Sequence, residues 1–348
     1  MRKKMISVAL IAVMSLSLFA CGSNKESSKE NPSASEASVD MPEVTLKLGF
    51  STNEEDPRAI AAKAFADEVS EKTGGKVTVE LYPSGQLGGD ADLINSISLD
   101  SGTVDIIITD ASNFATYEPK MGISALPFQF NDFDEAWAFM DSEIEAEAES
   151  GLIEQNMRVL AHYCNGFRCV TSSKGAVETP EDMKGLLIRT PENPVIMATM
   201  SALGANPQPL SFSELYQALQ QGTYDAQENP IPVIYNNNLF EVQKYLSVTN
   251  HIYSGMCFTI AESSWKKLST AEQEIVQAAA TASAEKDREL NKQQTEELVS
   301  KLEENGMQIN NPDLTPFAET TASVLTDNAD TYGDLLDKLA QWKTEYEK

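Results

Sequence analysis

From residue 43 onward the apolar positions switch between two periods. Val44-Thr-Leu-Lys-Leu-Gly-Phe50 changes side at each residue, the period of a strand. Ile60, Ala61, Ala64, Phe65 and Val69 recur at helical spacing. Gly74 and Gly75 then stop that helix, because glycine accepts the left-handed conformation of a C-terminal cap. Residues 76–81 read as a second strand, and residues 92–99 as a short helix. Val104-Asp-Ile-Ile-Ile-Thr109 is a nearly continuous apolar strand, the kind that is buried on both faces of a parallel sheet. Strand, helix, strand, helix, strand is a doubly wound α/β opening.

The pattern returns in the second half. Residues 158–161, 167–172 and 185–190 read as strands. Ser211-Phe-Ser-Glu214 has the spacing of a capping box, in which serine and glutamate each satisfy an orphan backbone donor. The helix behind it, residues 215–221, stops at Gly222. Two passages then align: Ser101-Gly-Thr-Val-Asp105 and Gln221-Gly-Thr-Tyr-Asp225. Each ends a helix at glycine and enters a strand with a polar group at its far end, Asp110 in one case and Asn229 in the other. Two similar lobes are therefore expected. Ligands of open α/β sheets sit beyond the carboxyl ends of the strands, where Asp110, Arg189 and Asn229 all fall. Ser269-Thr-Ala-Glu272 opens a long helical pattern closed by Gly306. About 36 residues would span roughly 54 Å, so this helix either bends or runs across both lobes as a packing brace.

The N-terminus carries a different pattern. Arg2, Lys3 and Lys4 precede a short apolar run, residues 6–19, which meets Leu18-Phe-Ala-Cys21. This is the layout of a secretory signal, too short for a spanning helix, and it resembles a bacterial lipobox with Cys21 as the lipidated residue. A diacylglyceryl group on Cys21 would anchor the chain to a membrane. Residues 23–42 are polar, contain Pro32 and Pro42, and show no apolar period, which predicts a flexible tether. Removal of residues 1–20 leaves 23 basic residues against 53 acidic ones, a formal balance of −30. That excess argues against nucleic acid and against adhesion to an anionic bilayer. A local arginine can still serve an anionic ligand, since charges beyond about 8 Å are screened at physiological salt. Cys164, Cys169 and Cys257 are read as buried free thiols, with a Cys169–Cys257 pair as the alternative.

Candidate chemistry centres on arginine. Arg189 ends the apolar run Gly185-Leu-Leu-Ile-Arg189, and Arg168 lies inside Asn165-Gly-Phe-Arg-Cys-Val170. A guanidinium presents a planar fork of donors suited to carboxylates, and two arginines from neighbouring strands would make a clamp. Ionised Asp110 accepts hydrogen bonds from hydroxyls, and the Asn229 amide donates and accepts. The histidines, His162 and His251, lack the HExxH context. No GxSxG, GxGxxG or P-loop motif occurs, so a binding protein without cofactor or metal is expected rather than an enzyme.

Several motifs together resemble the solute-binding proteins of TRAP (tripartite ATP-independent periplasmic) transporters, the DctP-type family. They are Pro83-Ser-Gly-Gln-Leu-Gly88, Asn165-Gly-Phe-Arg168, Ile188-Arg-Thr-Pro191, Leu203-Gly-Ala-Asn-Pro207, Phe212-Ser-Glu-Leu-Tyr216-Gln-Ala-Leu219 and Asp225-Ala-Gln-Glu-Asn-Pro230. The resemblance implies an α/β, two-lobed periplasmic-binding-protein-like fold with a cleft, hinge strands and a long interlobe helix. It implies lobe I from residues 43–165 plus about 255–294, and lobe II from residues 166–254 plus about 295–348. It further implies an organic-acid ligand, a membrane permease as partner and a monomeric chain. Arg189 matches the family's carboxylate clamp, Arg168 its supporting arginine, Asn229 its second-lobe asparagine and Phe212 an aromatic wall. Asp110 and Ser51 stand where sialic-acid binders of the family carry glutamate and asparagine. Arg189-Thr-Pro-Glu-Asn-Pro194 looks more like the sugar-acid binders, with C4-dicarboxylates as the alternative ligand. Hinges are expected near Asn165-Gly166 and Ser254-Gly255.

Overall fold

The structure, a computed structural model, describes residues 43–346; the signal peptide, the tether and Cys21 lie outside them. A single nine-stranded sheet runs through this part. Strands β1 (Val44–Gly49), β2 (Val77–Tyr82) and β3 (Ile106–Asp110) form a parallel trio in the order β2-β1-β3. They are linked by helices α1 (Pro57–Lys72) and α2 (Asp90–Ser98). Helices α3 (Phe133–Met140) and α4 (Glu143–Glu149) then lead into a long strand, β4 (Met157–Ser172). The second trio, β5 (Leu187–Thr190), β6 (Asn206–Pro209) and β7 (Ala226–Pro230), is also parallel, in the order β6-β5-β7. Its helices are α5 (Pro194–Ala202), α6 (Phe212–Gln220) and α7 (Ile231–Asn236). A second long strand, β8 (Tyr245–Ala261), precedes α8 (Glu262–Trp265), α9 (Thr270–Glu304) and the short β9 (Gln308–Asn310). Helices α10 (Thr315–Asp327), α11 (Ala329–Tyr332) and α12 (Leu335–Tyr346) end the described chain.

The two long strands join the halves. β4 and β8 pair antiparallel from Met157↔Ala261 to Ser172↔Tyr245, β8 also bonds β3, and β4 also bonds β7. The sequence suggested two separate strands over 158–172. A bulge within one continuous strand is found instead, with a register shift between Cys164 and Gly166. Gly166 has φ +116° and faces Ser254 across the pair, and a Cβ on it would lie 3.1 Å from Pro230. Glycine meets both demands there. Just before the bulge Cys164 stands opposite Gly255, and helix α9 bonds the Cys164 backbone. Asp287 Oδ2 accepts from Cys164 N at 2.6 Å, and Asn291 Nδ2 donates to Cys164 O at 2.5 Å.

The similarity of the two trios rests on a shared device. Asp105 N donates to Lys47 O while Asp105 Oδ2 accepts from Lys47 N. Asp225 does the same with Leu187 O and Leu187 N. Each aspartate thus pairs with the middle strand of its trio just before β3 or β7 begins.

At 35 residues, α9 spans roughly 53 Å. Val276, Ala279 and Ala280 pack with Leu48, Phe65 and Phe258 of the first half, whereas Leu298 and Leu302 pack with Leu219 and Ile234 of the second. The capping box at Ser269 and Glu272 forms. The one expected at Ser211 does not: its hydroxyl lies 3.1 Å from Ser213 Oγ and no side-chain cap bond is made. The C-terminal stretch, assigned to lobe II from sequence, divides. Phe317 packs with Val170, Ile188 and Met200, but Tyr332, Leu335 and Leu339 pack with Phe139 and Ile144 of the first half. An amphipathic period announces a helix without naming the surface it will cover. Cys164, Cys169 and Cys257 are free and buried.

Candidate ligand-binding cleft

The six sequence-nominated residues meet. Ser51, Asp110, Arg168, Arg189, Phe212 and Asn229 all line one cavity of ≈ 40 Å³. They come from the carboxyl ends of β1, β3, β5 and β7, from β4, and from the first turn of α6. Asp90, Asn113, Arg189, Pro191 and Phe212 also line a larger adjoining cavity of ≈ 510 Å³.

Arg189 is 2% exposed and has no carboxylate partner among the described residues. Its Nε and Nη2 both donate to Leu210 O, at 2.9 and 2.5 Å. That carbonyl occupies one edge of the guanidinium and fixes its plane. Nη1 has no hydrogen-bond partner among the described residues, and Arg189 lines both cavities. Phe212 lies against the cation with its ring centroid 6.0 Å away. Burial, reinforced by neighbouring Arg168 and only partly offset by Glu228, lowers the Arg189 pKa to about 10. The group still carries its charge at neutral pH.

Arg168 has another role than the paired clamp anticipated. β7 lies between β4 and β5, so the two arginines are not on neighbouring strands. Arg168 Nε and Nη2 bond both oxygens of fully buried Glu228, and Nη2 also donates to Glu228 O at 2.8 Å and Asn229 Oδ1 at 3.2 Å. Its charge is neutralised inside the protein. Desolvation works against ionising Arg168, but Glu228 wins and raises its pKa. Glu228 is likewise lowered by Arg168 against the effect of burial. His251, lowered by its own burial, touches Glu228 Oε2 at 3.3 Å and Thr249 Oγ1 at 2.8 Å. It is a satisfied core histidine.

The acceptor side also differs from expectation. Asp110 Oδ1 accepts from Ser112 N and Ser112 Oγ, and Oδ2 accepts from Ser254 Oγ. Little of its acceptor capacity is left for a ligand. Asp90, which the sequence analysis did not single out and which opens α2, has a buried Oδ1 without a partner among the described residues. Burial raises its pKa, while Arg58, Ser51 and Arg189 act in the opposite sense. Asp90 is the better placed hydroxyl acceptor. Asn229 is partly used: Nδ2 donates to Gln227 Oε1 at 2.6 Å.

A chain of polar contacts crosses the floor. Arg58 Nη2 donates to Asn165 Oδ1 at 2.7 Å, and Asn165 Nδ2 donates to Ser254 Oγ at 3.0 Å. Ser254 then reaches Asp110, which Ser112 connects to Asn193 at 2.5 Å. Only the spatial arrangement reveals this network; its members are scattered through the sequence.

The profile of the family described as "Bacterial extracellular solute-binding protein, family 7" (DctP) matches residues 48–331. The chain belongs to this family of TRAP solute-binding proteins. It is 34% identical over 265 residues to the 2,3-diketo-L-gulonate-binding periplasmic protein YiaO of Escherichia coli, spanning 76% of this chain and 80% of that protein. A TRAP periplasmic solute-binding protein of Roseobacter denitrificans with bound L-galactonate superposes with a TM-score of 0.81 at 34% identity, covering 86% of this chain and 99% of that one. Its counterpart from Polaromonas bound to D-erythronate gives 0.82 at 33%, covering 86% and 98%. The two-lobed architecture is that of these proteins. Among the described residues no helix is long and apolar enough to cross a membrane.

Glu228→Gln leaves Arg168 buried without its counter-ion and should destabilise this solute-binding protein by about 3–5 kcal/mol. Urea denaturation followed by circular dichroism measures it; a midpoint within error of the parent's would mean the pair is energetically idle.

Proposed function

We propose that this chain captures a hydroxylated organic carboxylate, a sugar acid of the aldonate or uronate class, and delivers it unchanged to a TRAP membrane permease. The observation that carries this reading is the buried Arg189 guanidinium, which lines the cavity with Nη1 unpartnered and no protein counter-ion among the described residues. A ligand carboxylate completes it, and Asp90 and Ser51 offer acceptors to hydroxyls on the opposite side. The sugar acids bound by relatives in Roseobacter denitrificans and Polaromonas support the class. A C4-dicarboxylate would need a second free cation. Arg58 is paired with Asp56, and Arg168 with Glu228. Acid/base chemistry on an acidic sugar would need two uncommitted carboxyl groups, and Asp110 is already held by Ser112 and Ser254. Recovery of the bound ligand unchanged, in one-to-one ratio, tests the absence of turnover.

Arg189→Ala should lose roughly 2–5 kcal/mol of affinity for L-galactonate or D-erythronate, because the carboxylate is left desolvated and unpaired. Arg189→Lys should recover little, since an ammonium cannot make the two-pronged contact. Calorimetry giving the lysine variant near-parental affinity would eliminate the bidentate geometry.

Asp90→Ala should cost a hydroxylated acid about 1.5–3 kcal/mol, the worth of hydrogen bonds to a charged acceptor. An unhydroxylated carboxylate of similar length should bind as well as before or better. Equal losses for both would assign Asp90 a structural role.

The deep cavity of ≈ 40 Å³ has room for about one or two waters. A sugar acid therefore enters with the halves apart and is enclosed as they close about Asn165-Gly166, where β4 bulges, and the facing Ser254-Gly255 of β8. A ligand shifts such an equilibrium only by its differential affinity for the closed state. Small-angle scattering should show contraction on adding saturating ligand. An unchanged radius of gyration, with binding confirmed in the same sample, would mean a rigid pocket.

The apolar run ending at Cys21 supports a lipid-anchored, extracytoplasmic monomer. Cys21→Ala should release the protein from the membrane fraction of the expressing bacterium; retention there would refute the anchor.

A further inference from the structure

Away from the cleft, three side chains of metal-binding type converge. Glu149, His162 and Cys257 each offer a ligand atom, and among the described residues these atoms all lie within 4.8 Å of one another. His162 and Cys257 are opposite each other in the β4–β8 pair, and Glu149 ends α4. One helical turn earlier on the same face, Glu145 is fully buried. Neither of its carboxylate oxygens has a hydrogen-bond partner among the described residues, and it is near enough to Glu149 and His162 to interact electrostatically with both. Burial, reinforced by the charge of Glu149, raises the Glu145 pKa to about 8, so without a cation the group holds its proton, and a cation facing it would let it ionise.

The surroundings of His162 match the support a metal-bound imidazole receives. Its Nε2 is turned to Glu149 Oε1, while Nδ1 lies 3.4 Å from Asp141 Oδ1. Asp141 is itself held by Arg288 through two bonds of 2.6 and 2.7 Å. A carboxylate on the far nitrogen fixes the tautomer that leaves the near nitrogen free to coordinate. A cavity of ≈ 320 Å³, lined by Asp141, Glu149, His162 and Arg288 among others, provides a route of entry.

We propose that Glu149, His162 and Cys257 bind a divalent transition-metal ion of the zinc class, with Glu145 in the fourth position. The mixed sulfur, nitrogen and oxygen set excludes magnesium and calcium, which prefer oxygen alone. Tetrahedral bonds of about 2.0–2.3 Å place ligand atoms roughly 3.3–3.8 Å apart, so an ion entering the cluster would part Glu149 Oε1 from His162 Nε2, which are in direct contact without it. The Cys257 thiol proton, and the proton shared between His162 Nε2 and Glu149 Oε1, are given up to solvent as the metal bonds form. None of the four residues lines the cavity around Arg189, so the ion would tie α4 to the two crossing strands rather than contact a carboxylate ligand.

The untagged chain, stripped with EDTA and freed of chelator, is titrated with Co²⁺. One equivalent should produce thiolate-to-cobalt charge-transfer absorption and tetrahedral visible bands, both abolished by Zn²⁺. Cys257→Ser, close in size, and Glu149→Gln should each weaken Co²⁺ binding at least about a hundredfold, given that even supporting residues contribute ten- to a hundredfold. Zn²⁺, but not Mg²⁺, should raise the thermal midpoint of the parent and not of the Cys257 variant. Absence of the charge-transfer band in the parent, or unchanged Co²⁺ affinity in the Cys257 variant with a native circular-dichroism spectrum, overturns the site.

Discussion

The buried, unpaired charge of Arg189 is the constraint around which the cleft is arranged. Isolating a guanidinium from water costs several kcal/mol unless something compensates. The protein supplies partial relief only: the Leu210 carbonyl along one edge, the face of Phe212, and the distant fields of Glu228 and Asp90. Arg168 adds to the cost, and Glu228, which pairs with Arg168, offsets part of it. Neutralising the second arginine lets the first remain an exclusive anion site. Saturating Arg189 in the same way would stabilise the empty protein and remove its reason to bind.

That arrangement needs a frame which is stiff along each half and yielding between them. β4 and β8 provide it by running through both trios with a bulge at the crossing. Buried backbone groups need partners, and beside the bulge Asp287 and Asn291 reach from α9 to bond Cys164 N and O. The long helix is thus more than packing. It bonds the irregular point of the sheet while its two ends rest on different cores.

Much of this was legible in the amino-acid sequence because it obeys short periods. The β1, β2 and β3 runs, the glycine stops and the capping box at Ser269 are local patterns that the fold keeps, whereas the equally local box at Ser211 does not form. The Asp105 and Asp225 passages were visible as a faint repeat, and the structure gives the repeat its reason in a shared pair of backbone bonds. Elements with no period were missed. β6 contains two prolines and β9 only three residues, so neither carries a strand signal. Arg189 could be singled out because a charge ending an apolar run is anomalous. Asp90 could not, since an acidic residue opening a helix is ordinary; only its buried, unpartnered oxygen distinguishes it. The partner of Arg168 was written in the Gln227-Glu-Asn-Pro230 motif, but which carboxylate meets which arginine is a three-dimensional fact. The same holds for Glu149, His162 and Cys257, whose sequence separations match no metal-binding spacing.

The two halves share a plan but not a charge. In the first, the strand ends and the start of α2 present Ser51, Asp90 and Asp110, all acceptors when ionised or oriented. In the second, they present Arg189 and Asn229. Asp90 and Arg189 feel each other's charge. A simple anion would satisfy Arg189 and leave Asp90 facing a negative charge. A neutral sugar would satisfy Asp90 and leave Arg189 unpaired. On the proposed reading, a molecule with a carboxylate at one end and hydroxyls at the other relieves both at once, so that polarity along the ligand, rather than its total charge or size, would be the property selected.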